Sequence, residues 1–369
     1  MVGSPEHRQS MALENKSYVP TLAVRPSEMN GLEFLPGIAK DRMTPCFLLA
    51  PWANSATLER TLVRIDRAYP NRSYFLDIDQ AYLITNQENE PQRQLSLLKD
   101  GTGAFANWTE FVREHDHVLP CLQTRGLTKS EIRAQIEAFQ HMGRSYCVRI
   151  YRERFPGNFT DIIGALTDVG SADFTVILEG GWVSDPLSLA AWFSGILSAG
   201  LSEIDASVPI VVSCTSIPNM FTEFVGRTPT TLPFNNRVLV DQVARSSNRQ
   251  RIIYGDWGST RPRQESGFAS RPLDRVDYPT DNAWLIARNK DLNWNFRNAA
   301  LAITASPQWN GSLGIWGEEM ISNTTINQAL GIDTPQKNVA SRVNIHLYRQ
   351  SFFGLPPLPP AALDEEWED

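Results

Sequence analysis

The sequence predicts an α/β fold, a (β/α)8 barrel of the TIM type with a C-terminal helical elaboration. Eight short apolar runs of β-prone residues alternate with segments of helical length. Strands that alternate with helices pair in parallel, and eight such units are the number that closes a barrel. An open doubly wound sheet is the alternative. Against it, no predicted strand is followed by the glycine-rich phosphate turn of a dinucleotide-binding fold.

The predicted strands are short and regularly spaced along the first two thirds of the chain. They cover residues 18–24, 44–50, 72–77, 118–123, 145–151, 174–179, 209–215 and 251–256. Between the second and third strands, the segment 56–68 repeats Leu58, Leu62 and Ile65 at helical spacing. This spacing places the three apolar side chains on one face of a helix, as a helix packed on a barrel requires.

Three more helices follow from start signals and from apolar spacing. The segment 129–142 is preceded by Thr128, with Glu131 three residues later, which is the signature of a capping box. The segments 187–201 and 234–245 also have the length and the apolar spacing of helices. Each of these three segments lies between two predicted strands, as the barrel requires.

We expect four segments along the chain. Residues 1–17 form a flexible polar tail, and residues 18–281 form the barrel. Residues 282–354 form a C-terminal elaboration that packs on the barrel, with its clearest helical patterns at 294–304 and 336–350. Residues 355–369 begin with prolines and end in acidic residues, a composition typical of disorder.

Two polar stretches do not fit a minimal barrel, and we interpret both as long loops. Residues 84–103 are rich in Gln, Asn and Glu, and residues 258–281 contain Arg261, Arg263 and Arg275 with few apolar residues. Both stretches follow strands, so they project from the carboxyl end of the barrel, where long loops are often functional. The arginine-bearing loop from Arg261 to Arg275 is therefore a candidate binding segment for a nucleic acid or a nucleotide.

Composition restricts the class of protein. Hydrophobic residues make up 42% of the chain and charged residues 20%, a balance that permits a large core. A net charge of −7 argues against a general binder of nucleic acids or membrane surfaces. Cys46, Cys121, Cys147 and Cys214 have neither metal nor redox spacing, so we interpret them as buried thiols. Because the chain shows no signal peptide and no apolar run of membrane-spanning length, we expect a cytoplasmic protein.

The candidate site lies where the predicted strands end, because barrel enzymes build their active sites from the carboxyl ends of the strands. Side chains alternate along a strand, so a residue at its end shares a face with the residues two and four before it. This rule gathers charged and polar side chains at one rim. The predicted rim residues are Arg25, Asp77, Asp79, Arg149, Glu179, Thr215, Tyr254 and Asp256, and the further candidates beside them are Glu28 on the following helix and Gln123 and Arg125 at the end of the fourth strand.

These residue types suggest a polar pocket for an anionic ligand. Arginines such as Arg25 and Arg149 bind anions, while Asp77, Glu179 and Asp256 are candidate catalytic acids or bases. The remaining candidates for ligand binding are Glu28, Gln123, Thr215 and Tyr254. Asp77 and Asp79 point to the same side of one strand, so a divalent cation is the cofactor that this pattern suggests. The alternative is a set of buried ion pairs that joins neighbouring strands.

Some chemistries are disfavoured. No lysine ends a predicted strand, which argues against a Schiff-base mechanism. His115 and His117 precede the fourth strand and therefore lie at the opposite end of the barrel from the candidate site. We interpret His346, on the last predicted helix, as a packed or surface histidine.

Short motifs follow one another in a characteristic order between about Tyr18 and Phe353. They are Tyr18-Val19-Pro20-Thr21-Leu22 followed by Arg25 and Glu28, Thr44-Pro45, Ser213-Cys214-Thr215-Ser216-Ile217-Pro218, Tyr254-Gly255-Asp256, Trp316-Gly317 and Asn344-Ile345-His346. In this order the motifs resemble the beta protein family of phages and bacteria. Glu318 stands where that family commonly has an aspartate. The resemblance implies a role in phage–host conflict or antiphage defence, and it implies no particular reaction.

Two functional hypotheses follow. The first is an enzyme or a ligand-sensing barrel that binds a phosphorylated or nucleotide-like anion at its rim, with catalysis left open. The second is a non-catalytic scaffold that acts with a protein partner through its long loops and through the acidic stretch from Asp364 to Asp369. A membrane is excluded as a partner under both hypotheses.

Overall fold

The barrel predicted from the sequence is present, and all eight predicted strands belong to it. The structure is a computed structural model that describes residues 13, 16–169, 173–263 and 273–356. Its strands are β1 (Tyr18–Ala23), β2 (Cys46–Leu49), β3 (Tyr74–Ile78), β4 (Val118–Pro120), β5 (Tyr146–Tyr151), β6 (Phe174–Trp182), β7 (Ile210–Thr215), β8 (Thr230–Pro233), β9 (Ile252–Asp256), β10 (Arg275–Pro279) and β11 (Ala283–Arg288).

Eight parallel strands follow one another around the barrel in the order β4-β3-β2-β1-β9-β7-β6-β5. The two end strands of this sheet also meet. Cys121, just after β4, forms a parallel bridge with Cys147 of β5, and the Leu122 amide donates to the Cys147 carbonyl at 2.8 Å. Contact between the first and last strands of the order makes the sheet a barrel, which excludes the open doubly wound sheet.

Helices cover the outside of the barrel, and the capping box predicted at Thr128 and Glu131 starts one of them. A 3₁₀ helix (Pro186–Leu189) and a π-helix (Ile196–Gly200) flank α8, so the single helix predicted at 187–201 is divided into three pieces. The α-helices are α1 (Pro26–Glu33), α2 (Gly37–Lys40), α3 (Glu59–Ala68), α4 (Glu90–Leu98), α5 (Thr102–Arg113), α6 (Lys129–His141), α7 (Phe159–Asp168), α8 (Ala190–Gly195), α9 (Asn236–Arg245), α10 (Phe296–Thr304), α11 (Trp316–Ile326) and α12 (Pro335–Ser351).

The loop predicted at 84–103 is wrong over much of its length, because this stretch contains α4. The Asn89 side chain accepts a hydrogen bond from the Gln92 amide at 3.3 Å and caps α4. Leu95 and Leu98, three residues apart, bury the inner face of the helix. The polar residues on the exposed face of α4 outnumber these two leucines. The composition of the stretch is therefore similar to that of a loop, although its apolar residues have helical spacing.

The second predicted loop, 258–281, is also partly wrong. Its last part is β10, which joins β11 and β8 in an antiparallel sheet of order β10-β11-β8. Asp277 interrupts the apolar pattern of β10, yet it is buried because it pairs with Arg275 and Arg342. Residues 264–272 of the predicted loop, including Arg271, lie outside the described residues.

Alternation along the strands separates two buried layers. The residues that pack inside the barrel are Val19, Cys46, Phe75, Leu119, Cys121, Cys147, Ile177, Val211 and Ile253, together with Leu13. Residues of the opposite parity, such as Tyr18 and Tyr254, pack outward against the helices. All four cysteines are buried and unbridged, as predicted.

The last helix, α12, lies against α1 and β1. A Cβ atom added to Gly31 of α1 would lie 2.6 Å from the Ala340 carbonyl oxygen, so the two helices approach as closely as a glycine allows. None of the helices in the described ranges has the length and apolarity needed to cross a bilayer. The acidic stretch from Asp364 to Asp369 lies outside the described residues, and the partner contact proposed for it stays a prediction.

Candidate functional site

A cavity of about 620 Å³ opens at the carboxyl ends of the barrel strands. We call it the rim cavity. Its floor is formed by Asp77 of β3, Arg149 of β5 and Glu179 of β6, and Trp257 forms part of its wall. The alternation of side chains along a strand correctly predicted that these three charged residues lie together. The volume lies within the range of small-molecule sites.

The floor of the rim cavity is a buried ion-pair network centred on Arg149. One guanidinium nitrogen, Nη1, lies 2.8 Å from Oδ2 of Asp77, and Nη2 lies 3.3 Å from Oε2 of Glu179. All three side chains are at most 5% exposed. Because two carboxylates share one guanidinium, the positive charge of Arg149 is already compensated and is not available to bind an anion.

Each carboxylate of this network is saturated with hydrogen-bond donors. Besides Arg149, Asp77 accepts from the Gln123 amide nitrogen at 2.8 Å and from the Tyr151 hydroxyl at 3.1 Å. The backbone amide of Ile78 is a fourth donor, at 2.8 Å. Gln123 is therefore engaged with the floor itself, and Asp77 has no oxygen free of a donor.

Glu179 is held in the same way. Its side chain accepts from the Ser213 hydroxyl at 3.1 Å, the Trp257 indole at 3.0 Å and the Gly181 amide at 2.9 Å, in addition to Arg149. Burial raises the pKa of Glu179, and the Arg149 charge together with these donors opposes the rise. The carboxylate is thus fixed in one position by four partners.

Asp79, the second carboxylate of β3, is also occupied. Arg263 donates from Nε to Oδ2 of Asp79 at 2.9 Å, and the Ala81 amide donates to Oδ1 at 3.0 Å. Asp77 and Asp79 each face a guanidinium group, whose positive charge disfavours a cation. No group of three His, Cys, Asp or Glu side chains in the described ranges is arranged to hold a metal ion. The predicted divalent-cation pair does not fit this geometry.

Two exposed arginines, Arg125 and Arg154, stand at the mouth of the rim cavity. Neither forms an ion pair with a residue that the structure describes. Arg263 also lines the cavity, but Asp79 compensates its charge. The mouth therefore carries two guanidinium groups without an ion-pair partner, together with the exposed carboxylate of Glu153, above a floor of two carboxylates and one guanidinium.

Three of the predicted rim residues lie beside the cavity. Arg25 forms an ion pair with Glu28, and both line a second, separate cavity. The Thr215 hydroxyl donates to the Thr260 carbonyl at 2.8 Å and so fastens the segment after β9. Burial raises the pKa of Glu28, whereas the neighbouring Arg25 lowers it.

The predicted convergence of Asp256 and Tyr254 with the rim is wrong, because both point outward from β9. Asp256 accepts from the hydroxyls of Tyr18 and Tyr254, at 2.6 and 2.7 Å. His346 of α12 lies 2.6 Å away, with Nε2 against Oδ2 of Asp256. This buried cluster fastens the last helix to the barrel. His346 is a packed histidine, one of the two alternatives predicted for it.

The inward position that Asp256 was predicted to occupy belongs to Trp257, one residue later. The sequence is compatible with this arrangement, because Ile253, Gly255 and Trp257 are two residues apart and share the inward face at β9. Gly255 obscures the signal: a Cβ added there would lie 2.7 Å from Cγ1 of Val211 inside the barrel. A glycine required by this close packing offers no polarity from which to assign a face.

Comparison with known proteins places the chain in a family. A solved structure of the carboxyl transferase domain of Rhizobium etli pyruvate carboxylase with pyruvate shares 8% identity and a TM-score of 0.35, over 94% of this chain and 50% of that one. The complete pyruvate carboxylase of the same organism shares 9% identity and a TM-score of 0.34, over 93% of this chain and 27% of that one. This chain thus spans half or less of those proteins, and likeness at this level carries no conclusion.

The informative matches are matches of sequence. "Protein beta" of Enterobacteria phage P4 is 27% identical over 348 residues, which cover 91% of this chain and 93% of the phage protein. The family model described as Beta protein matches residues 18–352, nearly the whole of the described chain. The chain therefore belongs to the Beta protein family, as the order of its short motifs suggests.

Proposed function

We propose that this Beta protein family member binds a small phosphorylated or nucleotide-like anion in the rim cavity. The observation that carries the proposal is the pair of guanidinium groups without an ion-pair partner, Arg125 and Arg154, at the mouth of the rim cavity. Planar guanidinium groups bind phosphate and carboxylate oxygens through paired hydrogen bonds. The floor residues then define the shape of the cavity. Their two carboxylates and one guanidinium leave one negative charge, so the attraction for an anion comes from the mouth.

The geometry favours binding over acid–base catalysis at this floor. A general base must accept a proton from its substrate, so it needs an oxygen within reach that is not already committed. Asp77 and Glu179 each accept from four donors within the protein. We therefore propose that both carboxylates hold the cavity open in one shape, and that Asp256 acts outside it by anchoring α12.

The test is calorimetric titration of the full chain with a nucleoside monophosphate. In the double variant Arg125→Gln/Arg154→Gln we expect the dissociation constant to rise about tenfold or more, because two charge-assisted contacts are lost. Arg133→Gln removes an equally exposed arginine on α6 and should leave the dissociation constant unchanged. Equal affinity of the double variant and the wild type, or no binding to the wild type, would contradict the proposal.

We infer that the biological setting is phage–host conflict. The support is membership in a family with a relative encoded by Enterobacteria phage P4. Bacteria that produce the chain should plate at least one phage of a diverse panel with lower efficiency than bacteria that lack it. The Arg125→Gln/Arg154→Gln variant should restore plating if ligand binding at the rim serves that role, while Arg133→Gln should not. Unchanged plating of every phage tested would count against antiphage defence.

A further inference from the structure

A second cavity, of about 460 Å³, lies beside the barrel rim and is lined by four arginines. We call it the four-arginine cavity. Arg25 follows β1, Arg261 follows β9, Arg275 begins β10 and Arg342 lies on α12. Four segments that are distant in sequence thus direct guanidinium groups toward one space, although like charges repel one another. Such convergence requires compensation.

The protein compensates only part of this charge. Glu28 pairs with Arg25, and Asp277 pairs with both Arg275 and Arg342. Four guanidinium groups therefore face two carboxylates, an excess of two positive charges. Burial and the neighbouring charges of Arg342, Arg275 and Arg25 lower the pKa of Arg261 to about 10. A bound anion would relieve this repulsion.

Hydrogen-bond donors are also left over. The Nε atoms of Arg25 and Arg342 are buried and have no hydrogen-bond partner among the residues that the structure describes. The side chain of Arg342 is only 5% exposed, so bulk water does not readily satisfy it. Arg149 at the rim also has an Nε atom without a partner, but two carboxylates compensate its charge, whereas the charges of the four-arginine cavity are compensated only in part.

Two helix N-termini reinforce the positive potential. Ser27 and Glu28, in the first turn of α1, line the cavity, and so does Gln336 in the first turn of α12. The first amides of a helix lack partners within the helix, and the helix dipole places partial positive charge there. Glu28 uses part of the α1 terminus, because its side chain accepts a backbone hydrogen bond.

We propose that the four-arginine cavity binds the phosphoryl group of a phosphorylated small molecule. Arginine guanidinium groups and helix N-termini are two groups with which proteins commonly bind phosphate. The apolar part of the wall, formed by Ile217, Phe221 and Val339, is suited to contact the remainder of such a molecule. The volume of about 460 Å³ is that of a small-molecule site.

This site is distinct from the rim cavity. Arg261 lines the four-arginine cavity and Arg263 lines the rim cavity, while Pro262 between them borders both. The backbone after β9 is therefore the partition, and the two sites can be tested separately. Arg261 suits substitution, because its side chain bonds Asn219 rather than a buried carboxylate.

The experiment is calorimetric titration of the full chain with inorganic pyrophosphate at low ionic strength. We expect Arg261→Gln to raise the dissociation constant about tenfold or more. Arg133→Gln and the double variant Arg125→Gln/Arg154→Gln should both retain wild-type affinity, which separates this site from the one at the rim. If Arg261→Gln is poorly folded by circular dichroism, Gln336→Glu takes its place, because it adds a negative charge to the cavity at an exposed position and should cause a similar loss.

The proposal is overturned if the wild type does not bind pyrophosphate, whether or not it binds a single-stranded oligonucleotide. It is also overturned if a folded Arg261→Gln or Gln336→Glu variant binds pyrophosphate as well as the wild type. Loss of pyrophosphate affinity in the rim double variant would assign the anion to the rim cavity and would also contradict the inference.

Discussion

Replacing Arg149 with methionine is expected to lower the free energy of unfolding by about 3–5 kcal/mol. Methionine fills much of the same space but leaves Asp77 and Glu179 buried without their shared counter-charge. A buried pair that loses one partner costs more than an exposed pair, because the remaining charge stays desolvated. Urea denaturation at neutral pH measures the difference.

Arg133→Met is the matched control. Arg133 pairs with Glu137 on the exposed face of α6, and both side chains are about half exposed. Such a pair contributes roughly 0.3–0.5 kcal/mol. A loss of less than about 1 kcal/mol in the Arg149 variant would show that the carboxylates of the floor do not depend on this guanidinium. The description of the floor as a network would then be wrong.

The barrel is predictable from the sequence because its signals are local. Each strand is a short apolar run, and each helix carries its own spacing or cap, as Thr128 and Glu131 do for α6. Where local polarity misleads, the prediction fails. The many polar residues on the exposed face of α4 made that stretch resemble a loop. Asp277 of β10 also resembled loop sequence, because the partner that holds it buried, Arg342, lies far along the chain.

The candidate site was only partly predictable for a related reason. Side-chain parity within β3, β5 and β6 correctly joined Asp77, Arg149 and Glu179. Parity does not indicate which charges compensate one another. The sequence therefore suggested that Arg149 binds an anion, whereas in the structure two carboxylates already compensate its charge. On β9 the inward Gly255 gave no polarity signal, and Asp256 was placed on the wrong face.

The four-arginine cavity could not be predicted from local sequence patterns. Arg25 and Arg342 come from opposite ends of the chain, and they meet because α12 packs on α1. The sequence analysis did single out Arg261 and Arg275, but as members of one loop proposed to bind a nucleic acid or a nucleotide. In the structure Arg275 belongs to a strand and pairs with Asp277, while Arg261 stands after β9. Tertiary packing, which a linear pattern does not encode, creates the convergence.

Asp256→Asn is expected to lower the free energy of unfolding by about 3 kcal/mol at neutral pH. Burial would raise the pKa of Asp256, but His346 and the hydroxyls of Tyr18 and Tyr254 more than offset it, so the pKa is lowered overall. A carboxyl group whose pKa is lower in the folded state stabilises the fold above its unfolded pKa of about 3.9. That contribution is lost as the pH falls through the folded pKa.

The gap in stability between Asp256→Asn and the wild type should therefore be constant from neutral pH to about pH 5 and should shrink below about pH 4. Urea denaturation across this range measures it, with the exposed Asp291→Asn as the control, expected within about 0.5 kcal/mol of the wild type. A gap that stays constant into the acid range would mean that the negative charge of Asp256 contributes nothing. The attachment of α12 to the barrel would then depend on packing around Gly31 rather than on the Asp256 and His346 pair.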